Sequence, residues 1–201
     1  MSNVGKTTMA KKIEEELGFT RYSVDDMIEE RLSDILLKNG YRSISDVARW
    51  MGHPYHSQYP KASKTYIDAE RKCMQAIFKE IRARRNEGKN IVIDTTGSVI
   101  YTGTTILNTM RHLSKVLYLE STAEEIQLLM QRFVTNPKPL IWGDCYRREA
   151  HEDPYEALKL SYPDLLNSRD QQYRKIAHVV VPFKTIRNPA FTASSLVEYS
   201  A

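Results

Sequence analysis

Apolar positions along the chain fall into alternating helix-like and strand-like blocks. Met9, Ile13 and Leu17 recur at i, i+4 and i+8, with Lys11, Lys12, Glu14, Glu15 and Glu16 on the other faces. That spacing predicts an amphipathic helix stopped by Gly18. A short strand is predicted near Phe19–Ser23. A helix from about Asp25 to Lys38 then carries Met27, Ile28, Leu32, Ile35 and Leu36 on its apolar side, and Asn39-Gly40 ends it. Ile44, Val47, Ala48 and Met51 give a second short helix over Ser43–Met51. Gly52–Lys64, with Pro54 and Pro60, reads as a loop, and a long helix follows from about Thr65 to Glu87, closed by Gly88. Asn90–Asp94 and Lys115–Leu119 are apolar without alternation, the pattern of parallel strands buried on both faces. Thr122–Phe133 is predicted helical, and Asn136–Pro154 irregular. Tyr155–Ile176 is predicted helical around an interrupting Pro163, Val179–Val181 is a final strand, and Leu196–Tyr199 ends a weak terminal helix. Strands alternating with helices make an α/β domain with a parallel sheet.

The first helix is preceded by Ser-Asn-Val-Gly-Lys-Thr-Thr at residues 2–8, the second half of the pattern G-x-x-x-x-G-K-[ST]. A triphosphate tail is a dense negative charge, and backbone N–H groups at a loop and helix N-terminus attract it. Val4, Gly5, Lys6, Thr7 and Thr8 are the candidate nucleotide-binding residues. Gly5 lets the backbone come close, Lys6 bridges the β- and γ-phosphates, and the Thr7 hydroxyl ligates Mg²⁺. A bare G-K-T-T before a helix also arises by chance; the helix and the strand-like segment after it favour the phosphate loop. Such a loop hangs from a buried strand, and the pattern's first glycine would lie one position before Met1. The expectation is therefore an upstream extension of about ten or more residues, a strand being about 5–6 residues plus its lead-in. A natural start at Met1 is the alternative, and it leaves a gap in the sheet with costly unpaired backbone groups.

Composition narrows the class only slightly. With 201 residues, 41% of them apolar, one domain with a sizeable core is expected. A net charge of +4 suits a small polyanion and does not require nucleic acid. The run Arg82, Arg84, Arg85, Lys89 suits the end of the long helix, where positive charge meets the negative pole. Cys73 and Cys145 give neither a disulfide framework nor metal spacing, which fits a reducing, cytoplasmic setting; organellar targeting stays open. No run approaches the ~18 apolar residues of a membrane span. His53 and His56 lie three apart in a Pro- and Tyr-rich loop, a weak spacing for metal.

Four segments taken in order resemble the shikimate kinase family of P-loop small-molecule kinases. Tyr22-Ser-Val-Asp-Asp-Met-Ile-Glu29 is similar to the acid-x-acid segment after the second strand. Thr96-Gly97-Ser98 stands at the family's glycine triplet. Lys138-Pro-Leu-Ile141 is similar to the R-P-L-L lid motif. Residues 167–177, with Arg169 and Tyr173, are similar to the segment in which an arginine holds the substrate and a tyrosine follows. The resemblance implies a three-layer P-loop NTPase fold, a parallel sheet flanked by helices with its first central strand missing. It implies one kinase domain over 1–201, a substrate-binding helical segment at about 25–66 and a lid at about 134–155. The implied activity is ATP- and Mg²⁺-dependent phosphorylation of a hydroxyl on a small polar metabolite, by a monomer or weak homodimer. A nucleoside or nucleotide kinase and a non-catalytic nucleotide-binding protein are the alternatives.

Residue by residue, the resemblance makes Asp25 the contact to the substrate hydroxyls and the base, Gly97 the glycine whose N–H approaches the substrate, and Arg169 the substrate anchor. Lys138 replaces the lid arginine that reaches the phosphates. Arg132 lies one position out of register with a second lid arginine. Three departures stand out. Ser23 replaces the first acid, Ile67 replaces an arginine for the shikimate carboxylate, and the glycine triplet keeps only its middle member. Losing a buried guanidinium–carboxylate pair costs about 2–5 kcal/mol, so phosphoryl transfer carries over better than shikimate does.

The other candidates rest on position. Asp94 ends an apolar strand, where a P-loop enzyme keeps its magnesium-side acid, although a turn-capping acid also sits there. Asp25 and Asp26 compete as helix caps. Arg169 has Asp170 beside it as an alternative partner. Lys138, Arg147 and Arg148 are either solvated loop charges or a closing lid. Tyr55, Tyr59 and Tyr66 serve either the acceptor pocket or the core.

Overall fold

The computed structural model describes residues 5–41, 44–83, 88–120, 133, 138–188 and 190–199. Helix α1 (Lys6–Leu17) starts at Gly5, whose φ of 97° is left-handed, and stops at Gly18, φ 70°, whose N–H donates to Glu14 O at 3.1 Å. Met9, Ala10 and Ile13 are its buried face. Strand β1 (Thr20–Ser23) leads straight into α2 (Val24–Lys38), which buries Val24, Ile28, Leu32 and Leu36. Ile35, expected on that side, is 37% exposed: the apolar stripe is one residue narrower than the hydrophobic count suggests. Helix α3 (Ile44–Met51) seats Val47, Ala48 and Met51.

Helix α4 (Tyr59–Ala83) begins six residues earlier than predicted. Pro60 sits in its first turn, where no N–H is needed, so it opens the helix instead of delaying it. Strand β2 (Ile91–Asp94) follows, then a 3₁₀ turn (Val99–Tyr101) and α5 (Thr104–Leu113). The sequence pattern assigned nothing to α5, because only Ile106 and Met110 of its ten residues are buried. After β3 (Leu117–Leu119), most of the predicted helix over 122–133 lies outside the described residues. Helix α6 (Pro154–Ile176) is capped by Asp153 Oδ1, which accepts from the N–H groups of Tyr155 and Glu156. It runs unbroken through Pro163, where an interruption was expected. Pro163 is on an exposed face of the helix, away from the core. Strand β4 (Val179–Val181), α7 (Phe183–Ile186) and α8 (Ala193–Glu198) complete the chain, and Thr192 and Ser195 form a capping box on α8.

All strand pairing among the described residues is parallel. β1 and β2 align Thr20 with Ile91 through Ser23 with Asp94, and β3 and β4 align Leu117 with Val179 through Leu119 with Val181. Among the described residues no ladder joins β2 to β3. Between them runs a slot of about 430 Å³, walled by Ile91, Val92 and Ile93 on one side and Val116 and Leu117 on the other, with Lys6 at one end. The slot lies where the predicted sheet places a central strand. It explains why Ile91, Val92 and Ile93 are only half-buried although their apolar run predicts burial on both faces. Helix α8 packs on α1, and its Leu196 and Val197 also line the slot.

The core centres on α2, α4 and α6, with Ile28, Cys73, Met74, Ile77, Leu158 and Leu165 all fully buried. Among the described residues no helix is long and apolar enough to cross a membrane. Ile28 holds the helix that carries Asp25. Ile28→Ala is expected to destabilise the fold by about 2–5 kcal/mol in urea unfolding. Leu37→Ala, on the exposed face of the same helix, is expected to stay within about 0.5 kcal/mol.

Candidate active site

Parallel register brings the ends of β1 and β2 level, Ser23 opposite Asp94. At that edge α1 and α2 both begin, so two helix N-termini and two strand ends share one place. Ser23, which the resemblance sets at the position of an acid, is the α2 cap: its Oγ accepts from Asp26 N–H at 3.4 Å. Neither Asp25 nor Asp26 takes that role. Asp25 is thereby left in the first turn of α2 with its carboxylate acting on Lys6.

Five charged groups converge there. The Lys6 ammonium feels the carboxylates of Asp94 and Asp25 and the positive charges of Lys138 and Arg169. Burial lowers the Lys6 pKa from the ordinary lysine value, while Asp94 and then Asp25 oppose the shift. Burial raises Asp25 above the usual aspartate value, and Lys6 and Lys138 hold it back. A partly desolvated carboxylate facing a partly desolvated ammonium is the electrostatic setting in which proton affinities are tuned. Asp94, at the tip of β2, is 7% exposed. Thr7 and Thr8 are exposed in the first turn of α1, whose N-cap Gly5 offers no side chain to its N–H groups.

Arg169 is 2% exposed on α6. One guanidinium nitrogen donates to Ile141 O at 2.7 Å, the group lies 5.5 Å from the Tyr101 ring centroid, and its Nε has no partner among the described residues. Asp170, the neighbour that would neutralise Arg169 in a purely structural reading, is turned to Tyr118 and Arg174 instead. A buried guanidinium without a carboxylate among the described residues has strong residual affinity for an anion.

Gly97 is tied to α6 one turn after this arginine. Its carbonyl accepts from the Tyr173 hydroxyl at 2.5 Å. The flanking hydroxyls of Thr96 and Ser98 both reach the carboxyl of Glu70, which is 0% exposed. Tyr66 is buried against the same group. Ile67, one turn earlier on α4, is part of the core. Glu70 and Tyr173 gained no role from the sequence. A lone acid on the apolar stripe Tyr66, Ile67, Cys73, Met74, Ile77 was the available signal.

The segment after 137 is anchored at its root. Tyr59 O–H donates to Leu140 O at 3.1 Å and accepts from Trp142 N–H at 2.8 Å, and Leu140, Ile141 and Trp142 are buried. Lys138, two residues before this anchor, is exposed. Arg147 and Arg148 are also exposed, and Arg148 Nε donates to Glu152 O, away from Lys6. His56 Nδ1 accepts from the backbone of His53, which removes it as a metal ligand. Tyr55 packs with His53, His56 and Tyr146. The expected contacts of Val4 and Arg132 fall outside the described residues.

The donor set suits magnesium. Thr7 and Asp94 offer oxygens only, and among the described residues no group of three or more His, Cys, Asp or Glu could hold a metal. Magnesium is commonly held by one or two protein oxygens, with phosphate and water completing the octahedron.

No protein-family model matches the chain, and no curated protein matches it. Among solved structures, a shikimate kinase from Acinetobacter baumannii, determined in complex with shikimate, matches with a TM-score of 0.56 at 21% identity. The match covers 97% of this chain and 83% of that one. The chain therefore has the shikimate kinase-like P-loop α/β fold that its motifs led one to expect.

Removing the Tyr59 hydroxyl leaves a buried N–H and a buried C=O unpaired. Tyr59→Phe is expected to cost about 1–3 kcal/mol in chemical denaturation. Trp142 fluorescence should shift to longer wavelength in the folded variant as the anchor loosens.

Proposed function

We propose that this chain is an ATP-dependent phosphotransferase acting on a hydroxyl of a small polar metabolite that carries an anionic group. The observation that supports this most is the convergence of Lys6, Asp25, Asp94, Lys138 and Arg169, contributed by α1, α2, β2, the segment after 137 and α6.

The roles follow from charge and position. Gly5, Lys6 and the first-turn amides of Thr7 and Thr8 hold the triphosphate tail, with Lys6 at the β- and γ-phosphates. Val4 belongs to the same loop. Thr7 and Asp94 would hold magnesium, which supplies neutralisation of phosphate charge when bound. Asp25 orients the acceptor hydroxyl and takes its proton; its raised pKa makes it a better proton acceptor than an exposed aspartate. Arg169 pairs with the acceptor's anionic group, and the Gly97 peptide borders it. Lys138 approaches the transferred phosphoryl from the lid, with Arg132 as a further lid cation. Catalysis is positioning and charge stabilisation in a site that excludes water.

Shikimate has both the hydroxyls and the carboxylate for this site, and it is the first acceptor to test. Ile67 provides no second cation for the carboxylate, so a related hydroxy acid with a smaller anionic contact fits as well.

A metabolite panel with MgATP, shikimate included, tests the reading by ATP consumption. Lys6→Ala is expected to lower kcat by about 10²–10³-fold. Asp94→Asn is expected to raise the magnesium concentration needed for half-maximal rate. Nucleotide binding without transfer to any acceptor would favour a non-catalytic module, and turnover only with nucleosides or their monophosphates would favour a nucleoside or nucleotide kinase. Unchanged metal dependence in Asp94→Asn would remove that residue from the magnesium site.

A further inference from the structure

Glu70 is fully buried on a face of α4 that otherwise carries Tyr66, Ile67, Cys73, Met74 and Ile77. Its Oε1 lies 2.5 Å from Thr96 Oγ1 and its Oε2 lies 2.6 Å from Ser98 Oγ. The two hydroxyl oxygens are themselves 2.7 Å apart. Three short oxygen–oxygen contacts thus close a ring through the carboxyl group. Each hydroxyl owns one hydrogen, so the hydroxyls alone fill two of the three contacts. A carboxylic acid proton fills the third, and every oxygen then has a partner. Burial pushes Glu70 up to about 7, with Asp25 adding to the shift and the two hydroxyls and Arg169 opposing it. The groups that face Glu70 are Tyr66 and Cys73 on its own helix, Asp25 from α2, and Arg169 and Tyr173 from α6.

The residue enclosed by this ring is Gly97. Its carbonyl is taken by Tyr173, and its N–H makes no hydrogen bond among the described residues. We propose that Glu70, held as a neutral acid, is a positioning residue: the Glu70–Thr96–Ser98 ring and Tyr173 together fix the Gly97 peptide so that its N–H serves an acceptor bound between Asp25 and Arg169. Glu70 is fully buried, with both its oxygens turned to Thr96 and Ser98. It acts only through the peptide it orients. Loss of its proton removes one of the three ring hydrogens and releases the constraint. The acceptor role rests on the phosphotransfer reading; the ring and its proton do not.

The test begins on the whole protein without ligand, by following the ¹⁵N and ¹H shifts of the Gly97 amide from pH 5.5 to 8.5. In the wild type they should move with a midpoint near 7. In Glu70→Gln they should be flat, because the amide N–H₂ supplies the third hydrogen at every pH. Asp25→Asn should retain the transition, since Asp25 is the other acid with a raised pKa in reach. Thermal stability gives a second readout. The folded-state pKa lies above the unfolded one, so the folded form holds the proton more tightly. The stabilisation is complete below the unfolded value and is lost as pH rises through 7. The melting temperature of the wild type should therefore fall between pH 6 and 8 by more than that of Glu70→Gln. With shikimate as the acceptor probe, the wild-type KM for acceptor should rise over that range, that of Glu70→Gln should not, and KM for ATP should be unaffected in both. If Glu70→Gln fails to fold, Ser98→Ala breaks the same ring and should shift the Gly97 transition away from 7. An identical Gly97 transition in the wild type and the ring variants overturns the proposal. Absence of turnover with every acceptor, with the Gly97 transition intact, overturns phosphotransfer and leaves the ring standing.

Discussion

Burying several charges in one place is tolerable only when they compensate each other, and the rest of this site depends on that compensation. Lys6 and Arg169 face Asp25 and Asp94, and the exposed Lys138 adds a third cation at the rim, three cations against two carboxylates. An isolated buried ion is penalised by desolvation far beyond what a single contact returns, so each of these groups is held by the others. The excess of one positive charge is the electrostatic form of a site for a polyanion. Lys6 and Asp25 are pushed towards their neutral forms by the same burial, which places an acceptor for a proton next to a donor of positive charge.

The backbone makes this meeting possible with few residues. β1 and β2 are four residues each and parallel, and both end at the same level. A helix starts immediately after one of them, and α1 starts beside the other. Ser23 caps α2 with its hydroxyl, so Asp25 is not consumed by the local structure. Tyr59 and Arg169 then tie residues 140–142 onto α4 and α6, which brings Lys138 to the cluster on a short leash. A few polar contacts to backbone thus decide where three of the five charges stand.

Much of this was legible in the chain. The phosphate loop, the helix after it and the apolar runs ending in Asp94 and Leu119 specify their elements through local chemistry. The α/β fold followed from alternation, and the family likeness of the fold followed from motifs. What was not legible depends on tertiary context. Pro60 reads as a loop residue until one knows that a helix begins beneath it. Pro163 reads as a break until it is seen on the exposed face of a continuous helix. Helix α5 buries only two apolar side chains, too few for a periodic signal. Ser23 reads as a lost acid and is a cap. Glu70 reads as one charge among many, because its significance lies in two hydroxyls more than twenty residues away that no spacing rule connects to it.

The slot between β2 and β3 has a mechanical consequence. Among the described residues no ladder crosses it, and the two half-sheets are joined through helices and side chains alone. A boundary without ladder hydrogen bonds is where local opening is expected to cost least. The seam ends at Lys6. An element laid into it would act as a clasp, coupling both half-sheets to the one lysine on which the electrostatic balance turns.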